Sequence, residues 1–255
     1  MRDLEKILEG LQSALSREEA FSVLNQSIIQ YGYSNVCYTL MTDHPSINQS
    51  AYHGLATSYP EDWIKHYNEN EYQKYDAVWQ RLLRSTTPFF WNDTLSILKK
   101  DNSQNPQAFL MSEKIIREAE EAKVADGAGF SFLGKSGEIA GIGLSREKNE
   151  NANDVRDLSE LYMITTVFHE KFISTYQTDI LTPLTDRQLE VLCWAAEGKA
   201  DKEIAFKIGI TVAAVRFHWK NIFKSMEVNT KLLATTKAIR TGLISPQSFR
   251  YGHRK

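Results

Sequence analysis

Apolar residues recur every three or four positions over most of the chain, a spacing that predicts amphipathic helices. Near the start, residues 4–15 and 20–28 each carry such a face, which predicts two helices. Ser16, with Glu19 three residues later, is a typical N-cap for the second of them. The same spacing recurs in three later segments: after Pro60, in Glu113–Val124 and in Val155–Tyr176.

Strands are predicted in segments that lack this helical spacing and are rich in β-branched and aromatic residues. Asn35–Thr42 predicts one strand. Ala128–Leu133 and Ile139–Ser145 predict a pair of strands, because the glycine-flanked turn 134–137 has the length and chemistry of a hairpin. Helices before and after an antiparallel sheet indicate an α+β chain whose N-terminal part is an α/β/α sandwich.

The charge is distributed unevenly between the two ends of the chain. The 255 residues have a formal net charge of −2, but residues 182–255 carry 13 Lys and Arg residues against 6 Asp and Glu residues, a net charge of +7. An excess of positive charge is expected of a surface that binds nucleic acid, although an ordinary solvated surface can also carry it.

The C-terminal segment begins with a helix start signal. In the stretch Thr185–Gln188, the Thr185 hydroxyl and the Gln188 side chain can each bond the other's backbone N–H, which is a capping box. A helix from Asp186 to Gly198 is predicted to bury one face, which consists of Leu189, Leu192, Cys193 and Ala196. A second, short helix, Lys202–Lys207, is predicted to stop at Gly209.

A third helix, capped by Thr211, is predicted to carry a buried face and a basic face. The apolar stripe has the spacing i, i+4, i+7 and i+11 and consists of Val215, Trp219, Ile222 and Met226. Arg216, Lys220 and Lys224 lie on another face of the same helix. A helix of this kind fits the major groove of double-stranded DNA, where Arg and Lys meet phosphates and guanine edges.

These residues closely resemble the LuxR-type helix-turn-helix. The matching motifs are Leu184-Thr185-x-Arg187, Glu190-Val191-Leu192, Ala196-x-Gly198-Lys199, Glu203-Ile204-Ala205, Val215-x-Phe217-His218 and Gly242-Leu243-Ile244. The resemblance implies a four-helix all-α domain whose third helix enters the DNA and whose fourth helix, near Lys231–Thr241, pairs two subunits into a homodimer. It implies DNA contacts from Lys199, Thr211, Arg216, His218, Lys220, Asn221 and Lys224.

Three positions depart from that pattern. Gln188 replaces a usual Glu but can still complete the capping box. Ala200 replaces a helix-capping Ser or Thr, and Asp201 is expected to take over the cap. Ala213-Ala214 removes polar contacts at the start of the third helix, so the operator sequences of the family do not carry over.

Aromatic residues are unusually dense between positions 59 and 91. Tyr59-Pro60-x-x-Trp63-x-x-x-Tyr67 is followed by Asp76, thirteen residues after Trp63, and by Trp91, fifteen residues after Asp76. This spacing, with the glycine-flanked hairpin after it, resembles the acyl-homoserine-lactone-binding domain of quorum-sensing regulators. The resemblance implies an autoinducer-binding domain over residues 1–176, a linker over 177–183 and a LuxR-type DNA-binding domain over 184–255.

The resemblance also implies a role for each residue of the pocket. The Trp63 indole N–H would donate to the lactone carbonyl, Asp76 would accept from the amide N–H, and the Tyr59 hydroxyl would donate to the amide carbonyl. Tyr67 and Trp91 would wall the lactone end. An apolar cavity with a few placed polar groups suits such an amphiphilic amide.

Two positions differ from the family pattern in ways that leave the identity of the ligand undetermined. Gly143 stands where many members have a Ser or Thr that binds the ligand, and Ala77 replaces a usual proline. The acyl chain is therefore not predicted. The alternative is a regulator of the same fold that senses a non-lactone small molecule.

Other classes of protein fit the sequence poorly. No apolar run approaches the length of a membrane span, and no secretory signal is evident, so we expect a cytoplasmic protein without a membrane partner. The two cysteines are far apart and form neither a disulfide framework nor a metal site. The histidines lack metal-ligand spacing, and no phosphate-binding loop occurs, which argues against an enzyme with a DNA-binding tail. No cofactor besides the small-molecule ligand is expected.

Overall fold

The computed structural model describes residues 3–94, 106–124, 126–134, 137–147, 154–176 and 184–245. Apart from two short loops, the chain divides into two compact units, one before and one after the boundary between Tyr176 and Gln177. The predicted linker 177–183 and the centre of the predicted hairpin turn, residues 135 and 136, lie outside the described residues.

The first unit opens with the two predicted helices, α1 (Leu4–Ser13) and α2 (Arg17–Ile29). Ser16 caps α2 as predicted, because its hydroxyl accepts from the Glu19 N–H at 3.1 Å. The Glu19 carboxylate in turn accepts from the N–H of Leu15 at 2.7 Å, so both side chains stabilise this helix start.

In the described residues of this unit, five strands form one antiparallel sheet in the order β2-β1-β5-β4-β3. The strands are β1 (Asn35–Leu40), β2 (Tyr52–Thr57), β3 (Phe89–Phe90), β4 (Asp126–Leu133) and β5 (Ile139–Arg146). β1, β4 and β5 confirm the predicted strands and the antiparallel sheet. β2 and β3 were not predicted, because β2 is interrupted by a bulge at Gly54 and β3 has only two residues.

Helices cover both faces of this sheet, which confirms the predicted sandwich. On one face lie α1, α2 and α6 (Val155–Ser174). On the other face lie α3 (Glu61–Glu69), α4 (Ala77–Arg84) and α5 (Pro106–Glu121), with a short 3-10 helix at Tyr72–Lys74. α5 begins seven residues before the predicted start at Glu113, because the segment from Pro106 to Ser112 continues the helix.

The two faces of the sheet differ in side-chain size because successive residues of a strand point to opposite sides. Tyr38 of β1 points toward α6, where its ring lies 5.4 Å from that of Phe168. Ile142 of β5 pairs with Tyr38 and is fully buried. The next positions, Cys37 on β1 and Gly143 on β5, pair with each other on the opposite face and leave open space there.

Residues 184–245 of the second unit contain the four predicted helices. They are α7 (Asp186–Ala196), α8 (Asp201–Ile208), α9 (Val212–Met226) and α10 (Lys231–Arg240). The predicted capping box is present, since Thr185 accepts from the Gln188 N–H and the Gln188 side chain accepts from the Thr185 N–H. The predicted stripe of α9 is buried in full. The prediction for α7 was partly wrong: Leu192 and Cys193 are buried as predicted, but Leu189 and Ala196 are only half-buried and Val191 is buried instead.

The turn between α8 and α9 depends on Gly209, whose φ of 70° is a left-handed conformation that favours glycine. The expected cap by Asp201 was wrong. The Ala200 N–H instead donates to Glu203 at 2.9 Å, which leaves Asp201 free to accept from the Trp219 indole N–H at 3.1 Å. Asp201 therefore ties α8 to the buried side of α9.

Candidate functional site

A cavity of about 830 Å³, its open mouth included, lies in the first unit between the sheet and helices α3, α4 and α5. All six pocket residues predicted from the sequence line it: Tyr59, Trp63, Tyr67, Asp76, Trp91 and Gly143. Its lining is mostly apolar and aromatic with a few polar groups, which is typical of sites that bind small molecules.

Asp76 is the acidic group of this cavity. It is the N-cap of α4, and its Oδ1 accepts from the Val78 N–H at 2.8 Å. Its Oδ2 accepts from the Tyr67 hydroxyl at 2.8 Å. Burial raises the pKa of Asp76, while the bonds from Tyr67 and Val78 act in the opposite direction. A carboxylate that is partly removed from solvent gains from each further donor that reaches it.

Two tyrosine hydroxyls add donors to the same wall. Burial raises the pKa of Tyr59 and of Tyr67 well above the ordinary value, so both hydroxyls keep their protons. Tyr67 donates to Asp76, and Tyr59 donates to the Gly143 carbonyl at 3.3 Å. The Tyr59 bond is long, so a better acceptor placed in the cavity can compete for this proton.

Trp63 and Trp91 each have an indole nitrogen without a hydrogen-bond partner in the described part of the chain. Trp63 lies on α3 with its ring 5.9 Å from that of Tyr67, and no described residue bonds its Nε1. The Nε1 of Trp91 is buried and also lacks a partner among the described residues. An unmade bond of this kind costs about 1–3 kcal/mol. The buried indole of Trp91 can therefore gain from an acceptor brought in by a ligand, and the Trp63 N–H can donate to one as well.

Glycines on the sheet make room for these aromatic rings. A Cβ atom at Gly143 would lie 3.0 Å from the Tyr59 hydroxyl oxygen and 3.4 Å from Cζ2 of Trp91. A Cβ at Gly127 would lie 2.8 Å from Cε2 of Trp91. The Tyr59 hydroxyl thus occupies the space that a side chain at position 143 would need.

Several lining residues were not predicted. Thr39 and His53 line the cavity from β1 and β2, and Ser112, Ile115 and Ala119 line it from α5. The α5 residues have the helical spacing i, i+3 and i+7, which predicts that they lie on one face of the helix. The spacing does not predict which part of the protein that face contacts. For Thr39 and His53 the sequence carries no signal, because their position depends on how the strands pair.

Polar contacts at the outer side of the cavity join α3 to α5. The Tyr72 hydroxyl donates to Oε2 of Glu118 at 2.5 Å, and Nε2 of His66 lies 2.9 Å from the same oxygen. These contacts hold the helix that carries Trp63 against the helix that carries Ile115.

In the second unit, α9 presents the predicted DNA-contact residues at its surface. Arg216, Lys220 and Lys224 are exposed, and His218 and Asn221 are half-exposed.

Two further predicted residues also lie near the surface. Thr211 caps α9, since its hydroxyl accepts from the Ala214 N–H at 3.1 Å. Lys199 is half-exposed, with its Nζ 4.0 Å from Glu203.

Phe217 was missed as a surface residue of this helix. It is 62% exposed, and helical geometry places it opposite the buried stripe and between Lys220 and Asn221. An apolar ring in that place can meet the methyl group of a thymine.

Within the described ranges, no group of three or more His, Cys, Asp or Glu side chains could hold a metal ion. None of the helices in those ranges combines the length and the apolar character that a membrane crossing requires.

Two family models match the chain. The model described as "Autoinducer binding domain" matches residues 16–172, and the model described as "Bacterial regulatory proteins, luxR family" matches residues 182–238. The two matches fall in the two units in which the cavity and α9 lie.

The chain is similar to named regulators over nearly its whole length. It is 25% identical to the transcriptional activator protein EchR of Dickeya chrysanthemi, with 88% of this chain and 90% of that protein covered. It is 24% identical to the HTH-type quorum-sensing regulator RhlR of Pseudomonas aeruginosa, with 92% and 95% covered. These relatives are transcriptional regulators, which agrees with the prediction of a regulator and not an enzyme.

The fold matches that of Escherichia coli SdiA. The crystal structure of that protein gives a TM-score of 0.71 at 20% identity, with 95% of this chain and 98% of that chain covered. SdiA solved in complex with octanoyl-rac-glycerol gives a TM-score of 0.70 at the same identity and coverage.

Proposed function

The chain belongs to the LuxR family of bacterial transcriptional regulators that carry an autoinducer-binding domain, and on that basis we propose that it senses an N-acyl-homoserine lactone. In this proposal the lactone binds in the cavity of the first unit and favours a homodimer that binds double-stranded DNA. The dimer then controls quorum-sensing genes.

The observation that carries the proposal is the half-buried carboxylate of Asp76 on the cavity wall. One oxygen is committed to capping α4, and the other accepts from Tyr67. A carboxylate oxygen can accept more than one bond, so Oδ2 has room for the amide N–H of a ligand. An amide that donates here would repay part of the cost of burying the charge.

The other polar groups suit the remaining atoms of such a ligand. Trp63 Nε1, which no described residue bonds, would donate to the lactone carbonyl. The Tyr59 hydroxyl would exchange its long bond with Gly143 for one with the amide carbonyl. Tyr67 and Trp91 would wall the lactone ring, and the space above Gly143 would remain filled by Tyr59.

Thermal unfolding of the purified chain with a panel of N-acyl-homoserine lactones tests the ligand. A ligand that binds only the folded protein raises the melting temperature in proportion to the logarithm of its concentration above Kd. We expect a rise that grows with the logarithm of concentration for at least one lactone. No rise with any lactone, from butanoyl to dodecanoyl chains, would contradict the proposal.

The second candidate function is sensing of a non-lactone acyl compound by the same cavity. Two observations favour it: position 143 offers no hydroxyl to the ligand, and the similar protein SdiA has been solved with octanoyl-rac-glycerol. Adding a monoacylglycerol and the free fatty acid of the same length to the panel separates the candidates. The lactone proposal predicts the larger rise for the amide, because only the amide has an N–H for Asp76.

For DNA binding, we propose that α9 enters the major groove. Arg216, Lys220 and Lys224 would contact phosphates or guanine edges, and His218 and Asn221 would approach from the same helix. Lys199 and the backbone near Thr211 would contact the phosphates beside the groove. One helix-turn-helix binds weakly by itself, so two copies about one DNA turn apart give the required affinity.

We further propose that α10 pairs the two DNA-binding domains. Leu232 and Leu233 on α10 are 79% and 48% exposed, which is a large apolar surface for a single helix to show to water. The domain division into 1–176, 177–183 and 184–255 belongs to the same proposal. It is supported by the two units and by the ranges of the family models. A regulator of genes would act in the cytoplasm.

DNA binding is tested after a DNA duplex that the protein prefers has been selected from random sequences. Lys220→Ala is expected to weaken binding to that duplex about tenfold and to lower its salt dependence, because a phosphate or guanine contact is lost. Lys65→Ala, on α3 of the first unit, also removes an exposed charge and is the control. Equal affinities for the two variants would contradict the role of α9.

A further inference from the structure

The cavity wall formed by the sheet has two layers. Cys37 pairs with Gly143, and two residues further along the same strands Thr39 pairs with Gly141. Alternate residues of a strand are about 7 Å apart. The first layer lies beside Tyr59 and Trp91, which contact Gly143. The second layer therefore lies about 7 Å further along the sheet.

A bulge in β2 brings a histidine to the second layer. β1 pairs with β2 at Tyr38 and Ala56 and again at Leu40 and Tyr52, so three residues of β2 face Thr39 alone. Gly54 at the centre of the bulge has a φ of 75°, which favours glycine. Bulges often redirect a side chain next to a functional site.

His53 has one engaged nitrogen and one without a partner. Nδ1 lies 3.0 Å from the Thr39 hydroxyl oxygen, which also accepts from the Gly54 N–H at 3.3 Å. In the part of the chain that the structure describes, no group hydrogen-bonds Nε2 of His53. Sγ of Cys37 lies 3.7 Å from the same oxygen, and a thiol that donates to it fills the second lone pair. Thr39 then donates its proton to Nδ1, and the tautomer favoured by that arrangement carries its hydrogen on Nε2.

The surroundings of His53 are otherwise aromatic. Its ring lies 4.6 Å from that of Tyr67 and 5.4 Å from that of Trp79. Burial lowers the pKa of His53 to about 4, so the ring is neutral at physiological pH. A bare hydrocarbon chain in this layer would leave Nε2 without a partner, whereas an oxygen on that chain would accept its hydrogen.

We propose that His53, held by Thr39, is a specificity-determining residue that selects ligands with an oxo or hydroxyl oxygen on the acyl chain. The inference rests on the proposed function, since it assumes that the amide end is held at Asp76 and that the chain extends toward the second layer. It names the ligand class more closely: an acyl amide whose chain carries an oxygen near the amide.

The test uses pairs of lactones that differ in one oxygen. Unsubstituted, 3-oxo and 3-hydroxy N-acyl-homoserine lactones of equal chain length are titrated into the full chain by calorimetry, from butanoyl to dodecanoyl chains. We expect the protein to bind the preferred oxygenated ligand about tenfold more tightly than its unsubstituted partner.

Three variants assign that preference to His53. His53→Phe keeps a ring between Tyr67 and Trp79 but removes the nitrogens. The variant should bind the oxygenated and the unsubstituted ligand about equally, and it should bind the unsubstituted ligand at least as tightly as the wild type does. Thr39→Val, which removes the hydroxyl that orients the ring, should reduce the preference severalfold. It also gives a result if His53→Phe does not fold. His169→Phe makes the same change at a histidine beside Phe132 and Tyr38, and should leave the preference intact.

Each outcome is distinct. If the protein binds no lactone at all, the proposed function fails. If it binds both members of every pair equally, or if His53→Phe and Thr39→Val keep the full preference, the proposed function stands and the role of His53 is overturned.

Discussion

The two faces of the central sheet are built from the same strands and have opposite characters. On β5, Ile142 and Leu144 point toward the helices α1, α2 and α6 and are fully buried. Gly141 and Gly143, which alternate with them, point toward the cavity. One face is a dry core and the other leaves space, because large and small residues alternate with the period of the strand.

The polar groups follow the same division. On the cavity face, Asp76 and Trp63 have capacity for further hydrogen bonds. On the packed face, the buried Tyr38 hydroxyl is already bonded to Nδ1 of His169 at 2.9 Å. A site that must accept a ligand keeps unmet bonds, whereas a core that must only be stable satisfies them within the chain.

The largest expected effect is on stability, and it differs between the faces. Ile142→Ala on the packed face should lower the free energy of unfolding by about 2–5 kcal/mol, because it opens a cavity in a filled core. Ile115→Ala removes the same atoms from α5, where one side already borders open space, so its cost should be near the lower end of that range. Chemical denaturation of the ligand-free protein measures both.

Measuring Ile142→Ala and Ile115→Ala again with saturating ligand gives a second comparison of the two faces. Ligand fills the space beside Ile115, so the gain in melting temperature on binding should be smaller for Ile115→Ala than for Ile142→Ala. Equal costs and equal gains for the two variants would contradict the difference between the faces.

The pH dependence of stability should draw on both faces. Burial lowers the pKa of His53 and of His169 to about 4. An unfolded histidine titrates near 6.5, so as pH falls from 6.5 toward 4 the unfolded state takes up protons that the folded state does not. The free energy of unfolding should therefore fall as pH falls, by about 2 kcal/mol per histidine between pH 6.5 and 5.

The variants His53→Phe and His169→Phe separate the two contributions. Each substitution should lower by about one the number of protons that the chain takes up on unfolding, so the free energy of unfolding should fall less steeply as pH falls. Denaturation at several pH values measures this slope. Asp76, whose pKa burial raises, acts in the opposite direction but is the same in every variant and cancels in the comparison. A decline that neither substitution changes would rule out both rings as its cause.

Removing one indole nitrogen should have different effects in the two units. Trp63→Phe should weaken lactone binding about tenfold with little change in stability, because no described residue depends on that N–H. Trp219→Phe removes one of two donors to Oδ1 of Asp201, the other being Lys231, and should cost about 1 kcal/mol of stability while lactone affinity stays the same. Calorimetry and denaturation of both variants give the two readouts. Loss of lactone affinity in Trp219→Phe alone would reverse the assignment.

The smallest expected effect is that of a single methyl group on the cavity face. Gly143→Ala places a Cβ 3.0 Å from the Tyr59 hydroxyl oxygen, so this ring must shift by a few tenths of an ångström. We expect a cost of about 1 kcal/mol in stability and a severalfold change in ligand affinity. Tyr59→Phe with Gly143→Ala should restore part of the stability, since the crowded hydroxyl is then absent. No recovery in the double variant would show that the strain lies elsewhere.

Sequence patterns predicted the elements whose period was long and regular. The helix pair at the N-terminus, the β4–β5 strands and the buried stripe of α9 are confirmed because each repeats its period several times. The spacing of Trp63, Asp76 and Trp91 also predicted residues that the fold brings to one cavity.

What could not be predicted depends on pairing between distant segments. β2 has a bulge at Gly54, so its alternation is broken, and His53 reaches the cavity only through its register with Thr39. Asp201 looked like a local cap, but its carboxylate bonds Trp219, eighteen residues away. Contacts of this kind follow from tertiary packing and leave no local pattern.

The most direct measurement of the central claim is the affinity of the wild-type chain and of Asp76→Asn for one N-acyl-homoserine lactone. Asn can still cap α4 through its oxygen, but its other atom is an NH₂ group that faces the ligand N–H with a second donor. Asp154→Asn, at the N-cap of α6, makes the same change where no ligand is expected. The account predicts about 10- to 100-fold weaker binding for Asp76→Asn and unchanged binding for Asp154→Asn. Equal affinity of Asp76→Asn and the wild type would contradict it.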